Sequence, residues 1–329
     1  MIATHRIVSN AGLQATCSPF GARLLSLLVP DRCGRTADVV LGVDDPSAAR
    51  ALTSYFGATC GRFANRIRAG RLELDGVRHA LTLNEGANHL HGGSIGFDRL
   101  VWQVAQPAVP RPDTIGFELR SPDGDQGYPG SVQASVRYTL DGMTLRIEMH
   151  ARSDAPTVIN LANHAYWNLS GQAGADVLDH VVRLRASRYL PVDEALIPTG
   201  LIAAVDGTPF DLRAIRPMRD VLARRPEGFD HCFVVDGEPD AMRLVCSVEH
   251  PPSGRRFELH ADQPGVQLYT CMHFGDGFAG KQGVRYRRFA GIVLESERFP
   301  DAPNQAAFPS ARLDPVQRYA HRMEYRFGV

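Results

Sequence analysis

Several segments of this 329-residue sequence place polar side chains inside otherwise apolar runs. The strand-like run 158–168 contains Asn160, Asn163, His164 and Asn168. Burying a polar group costs roughly 1–3 kcal/mol unless it is paired. A polar network that serves a site explains the run better than isolated core residues do. The pattern therefore favours a functional role for His164 over a hydrogen-bonded core histidine.

A second run, 291–294, is short and apolar and delivers Glu295 at its end. A carboxylate that leaves a buried strand is partly desolvated, and this raises its pKa toward the range useful for a general base. Glu297 shares the face of Glu295 by strand period, but Arg298 offers it a salt bridge, so we rank it lower. Two glutamates on one strand face fit poorly with glycoside hydrolysis, which needs acids on both sides of the bond.

Two further segments are rich in hydrogen-bonding side chains. Gly61–Ile67 combines arginine and asparagine, which suit sugar hydroxyls, although a salt-bridged surface strand is the alternative. In Asn88–Gly93, His89 and His91 lie on one face of a strand, the spacing of a metal-binding barrel. No acidic ligand follows at suitable spacing, so the pattern does not favour a metal. A structural role for one histidine remains as open as a ligand role.

Taken together, these segments resemble the aldose 1-epimerase (galactose mutarotase) family. The resemblance runs in the family's order over residues 55–310. It implies a large antiparallel β-sandwich, a galactose mutarotase-like supersandwich, and mutarotation of free aldoses without a cofactor or metal. The segments that carry it are 61–67, 88–93, 96–98, 127–130, 160–171, 229–231, 265–270 and 294–305.

The same resemblance implies a role for individual residues. The family's general acid falls on His164 and its general base on Glu295. Of the two histidines in 88–93, the resemblance implies that His91, not His89, binds the sugar. One departure, the stretch 271–274, is a residue longer than the family pattern and is expected to alter a pocket wall. The implied sugar-binding residues are Asn65, Arg66, His91, Tyr166, Asp230 and Gln267.

Two other functions remain as alternatives. A hexose-phosphate 1-epimerase would need a cationic pocket, for which Arg62, Arg68 and Arg71 are candidates. A non-catalytic sugar-binding module would not need an acid and a base, yet both His164 and Glu295 are present.

Strand and turn signals dominate the rest of the chain. Alternating apolar residues predict hairpins over 131–151, with an Asp141-Gly142 turn, and over 71–81, with an Asp75-Gly76 turn. A third hairpin is predicted over 242–260, and short helices over 45–55 and 217–225. The sequence thus predicts one all-β domain over residues 1–329.

The amino-acid composition restricts the classes of molecule that the chain is expected to bind. Lys+Arg 36 balance Asp+Glu 36, so the chain lacks the basic excess that nucleic acid or an anionic membrane would attract. A small uncharged monosaccharide is the expected partner. The six cysteines form no CxxC pair, which predicts reduced thiols in a cytoplasmic protein without structural zinc. The sequence distinguishes neither a monomer from a homodimer nor the preferred aldose.

Overall fold

The computed structural model describes residues 2–47, 54–105, 111–174, 176–275 and 277–329. Within these ranges strands predominate, and we number them in chain order. They are β1 (His5–Val8), β2 (Gln14–Ser18), β3 (Arg23–Pro30), β4 (Thr36–Asp38), β5 (Thr59–Cys60), β6 (Arg66–Ile67), β7 (Arg71–Leu74), β8 (Val77–Ala80), β9 (His89–Leu90), β10 (Gln103–Ala105), β11 (Thr114–Ser121), β12 (Val132–Asp141), β13 (Thr144–Ser153), β14 (Thr157–Val158), β15 (Ala162–Asn163), β16 (Tyr166–Trp167), β17 (Val181–Leu184), β18 (Arg188–Tyr189), β19 (Ala203–Ala204), β20 (Arg216–Pro217), β21 (Asp230–Val234), β22 (Arg243–Glu249), β23 (Arg256–Ala261), β24 (Gly265–Tyr269), β25 (Phe278–Ala279), β26 (Arg285–Tyr286), β27 (Ile292–Glu297), β28 (Arg312–Leu313) and β29 (Tyr319–Gly328).

Helices are few and short, as predicted. The single α-helix of the described residues, α1 (Met218–Arg224), confirms the helix expected over 217–225. Of the other expected helix, over 45–55, residues 48–53 lie outside the described part of the chain. Short 3-10 turns occur at Arg68–Gly70, Phe97–Arg99, Asp125–Gly127, Lys281–Gly283 and Ala302–Asn304.

Three antiparallel sheets make up most of the fold. Their strand orders are β10-β11-β12-β13-β29-β23-β22-β17-β20, β16-β27-β24-β21-β18-β19 and β1-β2-β3-β4. Ile147 and Tyr325 of the nine-stranded sheet share one hydrophobic core with Leu268 and Leu294 of the six-stranded sheet. Because the larger sheets bury their facing side chains together, the fold is the large antiparallel β-sandwich that the sequence predicts.

The predicted hairpin at the centre of the nine-stranded sheet is confirmed, but its turn is shifted by one residue. Asp141 pairs with Thr144, so the loop is Gly142-Met143 rather than Asp141-Gly142. Of these two loop residues, Gly142 alone has a positive φ, 57°. Glycine at the first loop position is typical of a type II′ turn, not of the type I′ turn that Asp-Gly predicts.

The other two predicted hairpins form as expected. Leu74 pairs with Val77, and Asp75 and Gly76 have φ values of 51° and 78°, which suit a type I′ turn. Strands β22 and β23 pair through residues 243–261.

Strand β27 separates the core from a second, more polar face of the six-stranded sheet. Ile292 and Leu294 point into the main core. Glu295 and Glu297 point to the opposite face because successive side chains of a strand alternate. The loops around residues 54–67, 84–93 and 269–275, together with Phe278, cover part of that face and line a cavity.

All six cysteines are free, and five of them are buried. No helix among the described residues is long and apolar enough to cross a bilayer.

Candidate active site

Three neighbouring strands place the predicted site residues side by side. Glu295 of β27 lies opposite Gln267 of β24, and Gln267 lies opposite Cys232 of β21. Asp230, two residues before Cys232, points to the same face, and its Oδ1 accepts a hydrogen bond from Gln267 Nε2 at 2.6 Å. Residues far apart in the sequence thus form one polar surface because the strands pair in this register.

His164 reaches this surface from the turn between β15 and β16. Its backbone N–H donates to the Ala58 carbonyl at 2.8 Å, and its own carbonyl accepts from Gly57 at 2.9 Å. Fixed on both sides, the imidazole brings Nε2 to 3.6 Å from Oε1 of Glu295. The two residues predicted as acid and base therefore lie together, and both are buried.

The asparagine side chains around His164 bind backbone carbonyl groups and do not line the cavity. Asn160 donates to the Ala64 carbonyl, Asn163 to the Gly57 carbonyl and Asn168 to the Ala290 carbonyl. They fasten loops on either side of the site. The polar network predicted from the sequence is present, and its asparagines support the site from behind.

The two histidines of segment 88–93 have different surroundings. His91 lines the cavity, and its Nδ1 accepts the backbone N–H of Asn65 at 3.1 Å. His89 is instead bound behind the cavity, between the Thr82 carbonyl and the Tyr128 hydroxyl, at 2.6 Å from each. The turn after His91 needs glycine, because a Cβ on Gly92 would lie 1.8 Å from the Gly61 carbonyl oxygen. Of the two histidines, His91 therefore lines the cavity and His89 does not.

The cavity, which is open to solvent on one side, has a volume of about 310 Å³, at the lower end of small-ligand sites. A larger groove of about 650 Å³ lies on the outer face of β11–β13, but it contains none of the predicted site residues. The residues that line the smaller cavity are Ser54, Tyr55, Asn65, Arg66, Asn84, Glu85, Leu90, His91, His164, Tyr166, Asp230, Tyr269, His273, Phe274, Phe278 and Glu295.

Arg66 is held by two carboxylates at the cavity wall. Its guanidinium makes a paired hydrogen bond with Glu85, with both N–O distances 2.7 Å, and lies 3.5 Å from Asp230. Although burial opposes ionisation, Arg66, His273 and Gln267 hold the pKa of Asp230 far below its ordinary value. Asp230 is therefore an ionised acceptor, ready to bind hydroxyl groups.

Burial sets the protonation of the acid–base pair. Burial, with Glu297 and Asp230 nearby, raises the pKa of Glu295 well above its ordinary value, against the effect of Arg66. For His164, burial lowers the pKa to about 4, although its own backbone and Asp230 oppose this. The raised pKa of Glu295 is the shift that the sequence predicts. For His164, desolvation of the imidazolium outweighs its attraction to Asp230.

Glu297 is also placed differently from the sequence expectation. It is fully buried, and its Oε1 accepts a hydrogen bond from Asn65 Nδ2 at 3.0 Å. Arg298 does not form the expected salt bridge with it. The Arg298 guanidinium donates to the Ser310 carbonyl instead, because alternation along the strand sends it away from the Glu297 face.

Three predicted sugar-binding residues have polar atoms already bound to protein. Asn65 donates to Glu297, the Tyr166 hydroxyl donates to the Ser54 carbonyl, and Gln267 donates to Asp230. Asn65 and Tyr166 still line the cavity, whereas Gln267 lies beside it.

Several cavity residues were not singled out from the sequence. Tyr55 packs against His91, with ring centroids 4.5 Å apart, and Glu85 fixes Arg66. His273 and Phe274, within the segment where the sequence departs from the family pattern, form part of the wall. The segment that is expected to alter a pocket wall thus lies in that wall. Tyr55 and Glu85 lie in loops whose sequence carries no local signal of a site.

One group of side chains has the composition of a metal site. Cys60, His91 and Glu295 place possible ligand atoms within 4.8 Å of one another. However, His91 Nδ1 accepts the Asn65 N–H, so the proton of the neutral ring lies on Nε2. A cation at Nε2 would force that proton onto Nδ1, where it would face another donor. This hydrogen bond suits a ring that donates to an oxygen atom, as a sugar hydroxyl would offer.

The arginines considered for a phosphate group do not line the cavity. Arg62 is buried and binds the carbonyls of Pro129 and Gly130. Arg68 pairs with Asp193, and Arg71 is exposed.

Comparison with known proteins is consistent with this geometry. The sequence model of the family described as aldose 1-epimerase matches residues 4–326. The chain belongs to the aldose 1-epimerase family. It is therefore an isomerase, and its function is the mutarotation of aldoses.

Relatives in this family resemble the chain over nearly its whole length. A galactose mutarotase from Bos taurus is 42% identical over 313 residues, covering 94% of this chain and 90% of the relative. An aldose 1-epimerase from Escherichia coli K12 is 34% identical over 327 residues, covering 97% and 93%. The crystal structure of an aldose epimerase homologue from C. elegans superposes with a TM-score of 0.92 at 32% identity, covering 100% of this chain and 99% of the other.

Proposed function

We propose that Glu295 accepts the proton of the anomeric hydroxyl of a free aldose while His164 protonates the ring oxygen. The observation that supports this assignment is the 3.6 Å separation of His164 Nε2 and Glu295 Oε1 at the cavity. The anomeric hydroxyl oxygen and the ring oxygen are both bonded to C1 and so lie close together. A base and an acid side by side can address both at once.

The reaction needs only proton transfers. As Glu295 removes the anomeric proton, the C1–O1 bond becomes a carbonyl, the bond from C1 to the ring oxygen breaks, and His164 protonates the released oxygen. Rotation about C1–C2 turns the other face of the aldehyde toward that oxygen. Ring closure then returns both protons and yields the other anomer. Each positioned transfer contributes roughly 10²–10⁴-fold to the rate.

The positions of the protons in the empty cavity imply that the bound sugar activates Glu295 and His164. The shifted pKa values leave the proton on Glu295 and the imidazole neutral. A bound sugar donates its anomeric hydroxyl to Glu295, and hydrogen bonding to a carboxylate favours the ionised form. The proton required by the ring oxygen is then held by His164.

The remaining cavity residues hold the sugar still. Arg66, His91 and Asp230 offer donors and an ionised acceptor to the other hydroxyls. Asn65 and Tyr166 shape the cavity next to C1, and Gln267 acts through Asp230, whose carboxylate it orients. Fixed hydroxyls keep the ring in place while C1 rotates, which lowers the entropic part of the barrier.

Galactose and glucose are the proposed substrates, because relatives are named galactose mutarotase and because the cavity walls are acidic. Among the described lining residues, the carboxylates of Glu85 and Asp230 are balanced by a single arginine, Arg66. Such a wall repels a phosphate dianion and accepts neutral hydroxyls.

Polarimetry tests this proposal. We expect the protein to accelerate the optical relaxation of freshly dissolved α-galactose and α-glucose, and glucose 6-phosphate at equal concentration to compete poorly. Faster relaxation of the phosphorylated sugar would support a hexose-phosphate epimerase instead. Sugar binding by calorimetry without any acceleration would support a binding module.

A further inference from the structure

Strand β27 carries a second buried carboxyl group that the proposed mechanism does not use. Glu297 lies two residues after Glu295 and on the same face, and the two side chains are 0% and 2% exposed. The Oε2 atoms of both groups lack a hydrogen-bond partner among the described residues. A buried carboxylate with an unpaired oxygen is costly, whereas a protonated carboxyl is not.

The surroundings of Glu297 offer it little compensation. Asn65 donates to it at 3.0 Å, but no basic side chain forms a salt bridge with it within the described residues. The positive charge that acts on Glu297, Arg66, is already engaged by Glu85 and Asp230. The titratable and charged groups packed around the two glutamates from other elements are Cys60, Arg66, His91, His164, Tyr166, Asp230, Cys232, Tyr319 and Tyr325.

Two carboxyl groups this close in a dry environment do not ionise independently. Once one is charged, the repulsion between like charges holds the proton on the other. Residues i and i+2 of a strand lie roughly 6–7 Å apart, and at an effective dielectric near 20 this repulsion is worth roughly one to two pH units.

We propose that Glu295 and Glu297 hold one proton between them near neutral pH, and that Glu297 thereby sets the pH range in which Glu295 works as a base. Glu297 is a positioning residue: it acts through Glu295 and does not touch the sugar. The inference rests on the proposed role of Glu295.

The pair also explains why the base keeps its proton in the empty cavity. The Asn65 hydrogen bond stabilises negative charge on Glu297, and that charge holds the proton on Glu295. A bound sugar that donates its anomeric hydroxyl to Glu295 stabilises the ionised form of Glu295.

The test is the pH profile of kcat/KM for Glu297→Gln, which is isosteric with the parent side chain and cannot ionise. We expect the acidic limb of the profile to move down by roughly one pH unit or more, because Glu295 no longer competes for the proton. Glu297→Asp keeps a carboxyl group and should restore an acidic limb close to that of the parent. An acidic limb for Glu297→Gln that overlays the parent's would overturn the proposal.

Thermal unfolding provides a readout that does not depend on activity. Burial raises the pKa values of both glutamates, for Glu297 against the hydrogen bond from Asn65. The folded pair therefore retains a proton that the unfolded chain loses near pH 4.5, and stability falls as the pH rises from about 4.5 through the raised pKa of the pair. The Tm of Glu297→Gln relative to the parent should rise across this window; a constant difference would overturn the proposal.

These results separate the two proposals. If Glu295→Gln is inactive but Glu297→Gln changes neither the pH profile of kcat/KM nor the pH dependence of Tm, Glu295 remains the proposed base. The proposal of a shared proton is then wrong. If Glu295→Gln is active, the proposed function itself fails.

Discussion

Glu295→Gln is expected to lower kcat/KM for mutarotation by at least about 10²–10⁴-fold, the usual contribution of a positioned general base. The amide has the shape of the carboxyl group but cannot accept the anomeric proton. Stability should not fall, since the change removes a buried carboxyl group whose Oε2 has no hydrogen-bond partner among the described residues. Polarimetry on fresh α-galactose, with a melting curve for each protein, measures both effects.

The matched control for this substitution is Glu73→Gln, on the exposed β7–β8 hairpin, where the Glu73 side chain is 58% exposed. It should relax the sugar at the parent rate. Relaxation by Glu295→Gln at a rate close to that of Glu73→Gln would rule out Glu295 as the base.

His164→Asn is expected to cause a loss of similar size, because an amide cannot deliver a proton to the ring oxygen. Asparagine can still occupy the turn between β15 and β16, whose shape depends on backbone hydrogen bonds to Gly57 and Ala58. If His164 and Glu295 act as one unit, the double variant should be little worse than either single variant. Losses that multiply in full would show that they act independently.

His89→Ala serves as the histidine control. Its ring binds Thr82 and Tyr128 behind the cavity, so its removal should lower the free energy of unfolding by roughly 1–3 kcal/mol and leave most of the activity. An activity loss equal to that of His164→Asn would mean that His89 takes part in the reaction and that the site residues have been assigned wrongly.

Local sequence was enough to predict much of the framework. Alternating apolar residues predicted strands β12 and β13, because one face of each packs into the core. The displaced Gly142-Met143 turn shows the limit of that reasoning: the pairing register of long strands overrides the preference of the Asp-Gly dipeptide. A one-residue shift of the loop keeps every buried side chain on its proper face.

The candidate site was predictable only in part, since its residues meet through long-range pairing. Local sequence pointed to His164 and Glu295 because each interrupts an apolar run. The predicted salt bridge between Glu297 and Arg298 was wrong, since Arg298 is adjacent in the chain but points to the other face of the strand. Glu85 gave no local signal, because its partner Arg66 reaches it only after β6 pairs with β9.

A crystal structure of Glu295→Gln with galactose bound would test the central claim most directly, because it would show which sugar atoms face the two side chains. We predict the anomeric hydroxyl within roughly 2.6–3.2 Å of the carboxamide at position 295, and the ring oxygen at a similar distance from His164 Nε2. A sugar bound with C1 toward the cavity mouth, or a metal ion seated between Cys60 and His91, would contradict the account.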